Sequence, residues 1–273
     1  LNKPVILVTN DDGVQSLGLR ALAEAVRPLG AIRVVGPEGP SSGSSMSLTF
    51  HKPLRVSKEL VGERRGYAVS GSPADAVMIG VHKLTPKRPA LVLSGINFGD
   101  NTTFQDVFAS GTVAGAIEAA IMGIPAIAFS MEVPDESIFS PAGFDIDFHK
   151  AAAVAARIAG WVIKNGIPPR TNLLNVNFPR FINGNTKIYI TKLARRKFRD
   201  YVLERKDPRK RPYYWIWGDR LTDFDKDTDA YVVHVLRGIS ITPLNLNLSS
   251  QEAPELRSLR EQLESSLPKV VAH

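Results

Sequence analysis

Apolar residues gather into short continuous runs, separated by stretches in which they recur at helical spacing. Val5–Thr9 is an almost unbroken apolar run, the pattern of a strand buried on both faces. Leu22, Ala25, Val26 and Leu29 follow at helical spacing, and Pro28-Leu29-Gly30 closes that helix. Further strands are predicted at 32–35, 67–69, 90–94 and 125–129. Ser72-Pro73 starts a helix, with Ser as N-cap and Pro in the first turn. Ser110 opens another, whose apolar positions are Val113, Ala116, Ile117, Ala120 and Ile121. An alanine-rich helix is predicted over 148–163 and a strand over 171–177.

Strand–helix alternation of this kind predicts an α/β fold with a parallel sheet covered by helices on both faces. From about residue 183 the pattern changes. Segments 187–191 and 231–236 read as strands, and the stretch between them is basic and aromatic, then acidic, with no amphipathic helix. The reading is therefore a core at 1–182, an extended β-rich appendage at 183–245, and a tail at 246–273. A projecting hairpin cannot bury both faces alone, so the appendage is expected to pair with another subunit. In the tail, a helix over 250–266 would carry Leu256, Leu259 and Leu263 on one face.

Composition narrows the chemistry. The 273 residues include no cysteine, which excludes disulfides, thiolate nucleophiles, Cys-ligated zinc and iron–sulfur clusters. The five histidines are scattered, so a metal would have to be a hard, oxygen-liganded cation. No run reaches the ~20 apolar residues of a membrane span, and 151–163 carries Arg157. The N-terminus runs straight into a strand without signal-peptide regions, so a cytoplasmic location is expected. The net charge of +7 is concentrated at 195–211, beside Tyr201, Tyr213, Tyr214, Trp215 and Trp217. A solvated arm or oligomer contact explains that stretch as well as polyanion attraction does. No recognised nucleic-acid module accompanies it.

In open α/β sheets, ligands bind beyond the carboxyl ends of the strands. Four polar loops lie there. Thr9-Asn10-Asp11-Asp12-Gly13 places two carboxylates side by side, which repel unless a cation or several donors lie between them. The Ser- and Gly-rich loop 36–47 offers hydroxyls and backbone amides. Asn97, in Ser94-Gly95-Ile96-Asn97, offers an amide oxygen, and Ser110-Gly111-Thr112 opens a helix whose free amides suit an anion. Each alone has a plain explanation as a turn, a linker or an N-cap. Together they suit an oxygen-liganded Mg²⁺- or Mn²⁺-like ion with positions open for water and a phosphoryl oxygen, which points to phosphate ester hydrolysis.

These motifs resemble the SurE (stationary-phase survival protein) family. The resemblance rests on Asn10-Asp11-Asp12-Gly13, the loop ending Ser47-Leu48-Thr49, Gly71-Ser72-Pro73-Ala74-Asp75, Ser94-Gly95-Ile96-Asn97 and Ser110-Gly111-Thr112-Val113. It continues through Arg199-Asp200-Tyr201, Tyr213-Tyr214-Trp215 and Ser240-Ile241-Thr242-Pro243. The resemblance implies a Rossmann-like α/β/α core with a C-terminal β-hairpin swapped between subunits of a homodimer or homotetramer. It further implies hydrolysis of nucleoside monophosphates, as a 5′/3′-nucleotidase, with one divalent cation per subunit. By motif, the cation ligands are Asp11, Asp12, Ser42 and Asn97, with Asp11 and Asp12 also catalytic. Phosphate or substrate contacts fall on Gly43, Asn101, Ser110, Gly111 and Thr112. Two departures stand out: Ser41 occupies the position where many members carry Arg, and 101–106 is one residue longer than in bacterial members. The rival expectations are an exopolyphosphatase or broad acid phosphatase using the same site, and a nucleic-acid binder using 195–217.

Overall fold

β1 (Val5–Thr9) lies in the middle of a nine-stranded sheet and is wholly buried. The computed structural model describes residues 3–134, 146–249 and 254–266. The chain runs from β1 through α1 (Leu17–Ala25), β2 (Ala31–Pro37), β3 (Val56–Val61), β4 (Arg64–Val69) and α2 (Pro73–Ile79) to β5 (Leu91–Phe98). Next come α3 (Thr103–Ala109), α4 (Gly111–Ile121), β6 (Ala126–Met131), α5 (His149–Asn165) and β7 (Leu173–Phe178). The remaining elements are β8 (Ile188–Ile190), β9 (Phe198–Lys206), β10 (Pro212–Arg220), α6 (Asp229–His234), β11 (Ile239–Leu244) and α7 (Pro254–Ser266).

The strand order is β3-β4-β2-β1-β5-β6-β7-β11-β8. From β4 to β7 all neighbours are parallel, while β3 and β11 run antiparallel to β4 and β7. The side chains of β1 alternate as a doubly covered strand requires. Ile6 and Val8 pack with Leu19 and Leu22 of α1 and Ala155 of α5, and Leu7 packs with Val77 of α2 and Val113 of α4. Three α/β/α layers result. After β4 the chain crosses back to lay β5 on the other side of β1, so the direction of winding reverses between β1 and β5. That reversal opens a crevice at the carboxyl ends of these two strands.

The caps explain why the helices start where they do. Ser16 accepts from Leu19 N, Ser72 forms a reciprocal capping box with Asp75, and Ser110 accepts from Val113 N. Segment 231–236, expected as a strand, instead holds the end of α6, which stops at His234, and a turn. The Thr228 hydroxyl caps the helix by accepting from Tyr231 N, and Asp229 anchors its first turn on Thr103 N (2.9 Å) and Ala194 N (2.8 Å). The appendage is also shorter than expected. β8 and β11 join the central sheet, β11 pairing with β7 along Leu173–Asn177, so only β9 and β10 stand apart as a two-stranded ribbon. That ribbon exposes Val202, Tyr214, Trp215 and Ile216. Residues 250–253 of the expected tail helix lie outside the described residues, and α7 covers the rest of it. Among the described residues no helix is long and apolar enough to cross a membrane.

Candidate active site

The crevice between β1 and β5 collects three of the four polar loops at once. Asp11 and Asp12 leave the end of β1, Asn97 lies near the end of β5, and α4 begins beside them. Asp11 is 3% exposed. Its Oδ1 accepts from the Thr112 hydroxyl. Burial pushes its carboxyl up from the ordinary range, and the Thr112 hydroxyl with the Thr112 and Gly111 amides offsets part of that. Asp11 thus occupies the positive end of α4, where the helix dipole favours its ionised form. Only glycine permits this approach. A Cβ on Gly111 would lie 2.7 Å from Asp11 Cβ and 2.8 Å from Ser44 Oγ.

Asp12 is more open and accepts from Phe98 N at 3.0 Å. Burial, then the neighbouring Asp11 charge, pushes its carboxyl up to about 7. Asn97 spends its Nδ2 on Gly99 O at 2.8 Å, which leaves Oδ1 as the accepting end of the amide. The Ser-rich loop reaches the pair through Ser41 N, which donates to Asp11 O at 2.7 Å. Its far side is pinned to the end of α3, because Ser45 donates to Ala109 O from its amide and to Phe108 O from its hydroxyl.

The expected residues occupy distinct places. Ser42 is exposed beside Ser41, with its hydroxyl unpartnered among the described residues. Gly43 is also exposed and takes φ +69°, which a side chain would strain. Ser110 serves as N-cap through its hydroxyl. Thr112 turns its hydroxyl onto Asp11, so its direct partner is a carboxylate. Asn101 is buried in an amide network. Its Nδ2 donates to Ser130 Oγ (2.8 Å), its N to Asn177 Oδ1 (2.8 Å), and its O accepts from Asn175 Nδ2 (2.9 Å).

Sequence reading did not single out Phe98, Asn175 or Asn177, and within the Ser- and Gly-rich loop it chose Ser42 over Ser44. Ser44 has a buried hydroxyl with no hydrogen-bond partner, set against Gly111 beside Asp11. Phe98 contributes a backbone amide, which no side-chain pattern announces. Asn175 and Asn177 hold Asn101, and their alternation within β7 (Leu-Leu-Asn-Val-Asn) was the available signal.

A hard divalent cation fits this donor set. A buried and a half-buried carboxylate stand together with raised proton affinity, flanked by one free amide oxygen and serine hydroxyls. No cluster of three or more His, Cys, Asp or Glu residues able to hold a metal occurs among the described residues. The ligands would therefore be two charged and otherwise neutral oxygens, a set suited to Mg²⁺ or Mn²⁺.

Comparison with known proteins gives one consistent result. The family model described as Survival protein SurE matches residues 6–200. The 5′-nucleotidase SurE of Hyperthermus butylicus is 43% identical over 249 residues, 90% of this chain and 86% of that protein. The 5′-nucleotidase SurE of Methanosarcina mazei is 43% identical over 251 residues, 91% of this chain and 94% of that protein. The crystal structure of the SurE protein from Aquifex aeolicus superposes with a TM-score of 0.79 at 36% identity, covering 96% of this chain and all of that one.

Proposed function

The chain belongs to the SurE survival-protein family, and from that premise we propose that it is a divalent-cation-dependent nucleotidase that releases phosphate from nucleoside monophosphates. The enzyme class, a phosphoric monoester hydrolase, is that of its relatives named 5′-nucleotidase. The observation that carries the finer reading is the Asp11–Asp12 pair at the winding reversal, with Asp12 pushed up to about 7.

Asp11, Asp12, Ser42 and Asn97 would hold the ion, which would supply Lewis-acid polarisation of the phosphoryl group and a water of lowered pKa. Asp11 is fixed by Thr112 and the first amides of α4, so its orientation is set before substrate arrives. We assign the water's proton to Asp12, and its greater openness supports that choice. The loop at 41–45 and the start of α4 enclose the phosphate end, where donors stabilise developing charge. With no cysteine, and with none of these side chains a histidine, direct attack by water is the mechanism we assign. The exposed aromatic ribbon β9–β10 supplies the surface for a homodimer or homotetramer.

A substrate panel tests the reading. Phosphate release is measured from nucleoside monophosphates, polyphosphate and p-nitrophenyl phosphate under matched Mg²⁺ or Mn²⁺. The expected result is the highest kcat/KM for a nucleoside monophosphate. A clear preference for polyphosphate, or no release from any compound by folded protein, would overturn it.

A further inference from the structure

A buried charged cluster centred on Lys197 lies outside the proposed ligand set. Lys197 immediately precedes β9, and its side chain is 10% exposed. Its Nζ donates to Asp100 O at 2.9 Å and Asp100 Oδ1 at 3.0 Å, and pairs with Asp106 Oδ2 at 2.8 Å. Two hydrogen bonds to Asp100 and a close ion pair with Asp106 thus surround the ammonium. Burial alone would make Lys197 easier to deprotonate, but Asp100 and Asp106 overcome that and hold its pKa above the ordinary value. His234 Nε2 lies 3.3 Å from the same Asp100 Oδ1, and its Nδ1 lies 3.2 Å from Glu132, which Arg237 also pairs.

The positions of the two aspartates give the cluster its meaning. Asp100 stands three residues after Asn97. Asp106 lies in α3, and its carbonyl accepts from Ser110 N at 2.8 Å, at the cap of α4. One ammonium therefore ties both ends of 100–106, the rim between the amide of Asn97 and the start of α4. A second tie comes from the same part of the chain. Asp229 holds Thr103 N and Ala194 N, and Phe104 N donates to Ala194 O at 2.8 Å. Thr103 sits at φ +83°, a conformation costly for a β-branched residue and maintained by those bonds. Lys197 also closes the base of the ribbon, its carbonyl accepting from Leu221 N at 2.8 Å.

We propose that Lys197 is a positioning residue for the proposed nucleotidase site: through Asp100 and Asp106 it clamps the 100–106 rim, so that the root of the β9–β10 ribbon sets the substrate side of the crevice. The proposal rests on the nucleotidase reading for its kinetic consequence alone. Ionic clusters of this kind are poor sources of net stability compared with apolar packing, which leaves geometry as their use. Asp11 and Asp12 follow the end of β1, outside the segment that the clamp holds. Loosening the rim therefore weakens substrate capture and leaves cation binding intact.

Lys197→Met and the milder Asp106→Asn test this in the full-length protein. Each is first checked for a cooperative melt above the assay temperature. Expected for Lys197→Met is at least a tenfold loss in kcat/KM for a nucleoside monophosphate, carried mainly by KM. Mn²⁺ affinity by calorimetry should stay within threefold of wild type. Asp106→Asn should move in the same direction by a smaller factor, and Lys197→Arg should recover part of the loss. Amide hydrogen exchange at Asn101 and Thr103 should accelerate at least tenfold in Lys197→Met, whatever the reaction. That readout separates the two ideas: a wild type without nucleotidase activity defeats the reaction, and unchanged exchange defeats the clamp. Unchanged kcat/KM in a folded Asp106→Asn and Lys197→Met pair, or Mn²⁺ affinity falling in parallel with kcat/KM, would also overturn the proposal.

Discussion

Replacing Asp12 by Asn should make the cation-free protein more stable, and increasingly so as pH rises. In the fold Asp12 has a pKa of about 7 against an ordinary 3.8, through burial and then through Asp11. Below about pH 4 the folded and unfolded chains both hold the proton, so nothing is lost. Between about pH 4 and 7 the folded chain keeps a proton that the unfolded chain has released, and stability falls as pH rises. At about 1.4 kcal/mol per pKa unit, roughly three units give an upper bound of about 4 kcal/mol by pH 8. Asn removes that cost and can still accept from Phe98 N, whose 3.0 Å bond to Asp12 is the side chain's hydrogen bond to the main chain. Urea unfolding in EDTA at pH 5 and pH 8 measures the difference. The Asp12→Asn advantage should grow toward pH 8. Mn²⁺ should then close the gap, because about 2.7 kcal/mol accrues to a protein that binds at a hundredfold excess over Kd, and about 4.1 kcal/mol at a thousandfold excess offsets even the upper bound. A gap independent of pH, or a wild type that is the more stable at pH 8 in EDTA, would refute the electrostatic account of the pair.

Gly111→Ala drives a methyl to 2.7 Å from Asp11 Cβ, so kcat should fall at least a hundredfold, with stability lowered by about 1–3 kcal/mol in a thermal melt. Thr112→Val removes the hydroxyl bonded to Asp11 and leaves a buried carboxylate short of a donor, worth about 1–3 kcal/mol. Calorimetry should show its Mn²⁺ affinity reduced by about tenfold, a change that a purely structural threonine would not produce. Trp215→Ser on the exposed ribbon should shift sedimentation toward monomer at micromolar concentration, and an unaltered profile would remove the ribbon from the assembly.

The core was legible because its signals are local. Val5–Thr9 shows its double burial as a continuous apolar run, and Ser72 and Ser110 cap the helices that follow them. What escaped was decided by distant partners. β3 (Val56–Val61) is an edge strand, exposed along most of its length, and its Ser57-Lys58-Glu59 carries no apolar alternation. Pairing with β4 makes it a strand. α3 has no side-chain cap of its own and begins at a strained Thr103, held by Asp229 from 126 positions away. The run Tyr231-Val232-Val233-His234-Val235-Leu236 is β-branched and periodicity alone cannot classify it, so Asp229 and Thr228 decide for helix. At the site, the Asp11–Asp12 pair and Ser110 could be read from motif and position. The orphaned hydroxyl of Ser44 could not, since its distinction from Ser42 is burial alone.

The central claim is that Asp11 and Asp12 hydrolyse nucleoside monophosphates with a divalent cation. Its most direct test is phosphate release from adenosine monophosphate by EDTA-stripped protein, before and after addition of Mn²⁺, for wild type and Asp12→Asn. The account predicts no release from the stripped wild type, restoration by Mn²⁺, and at least a thousandfold lower rate in Asp12→Asn under the same Mn²⁺. Full activity in EDTA, or an Asp12→Asn variant as active as wild type, would contradict it.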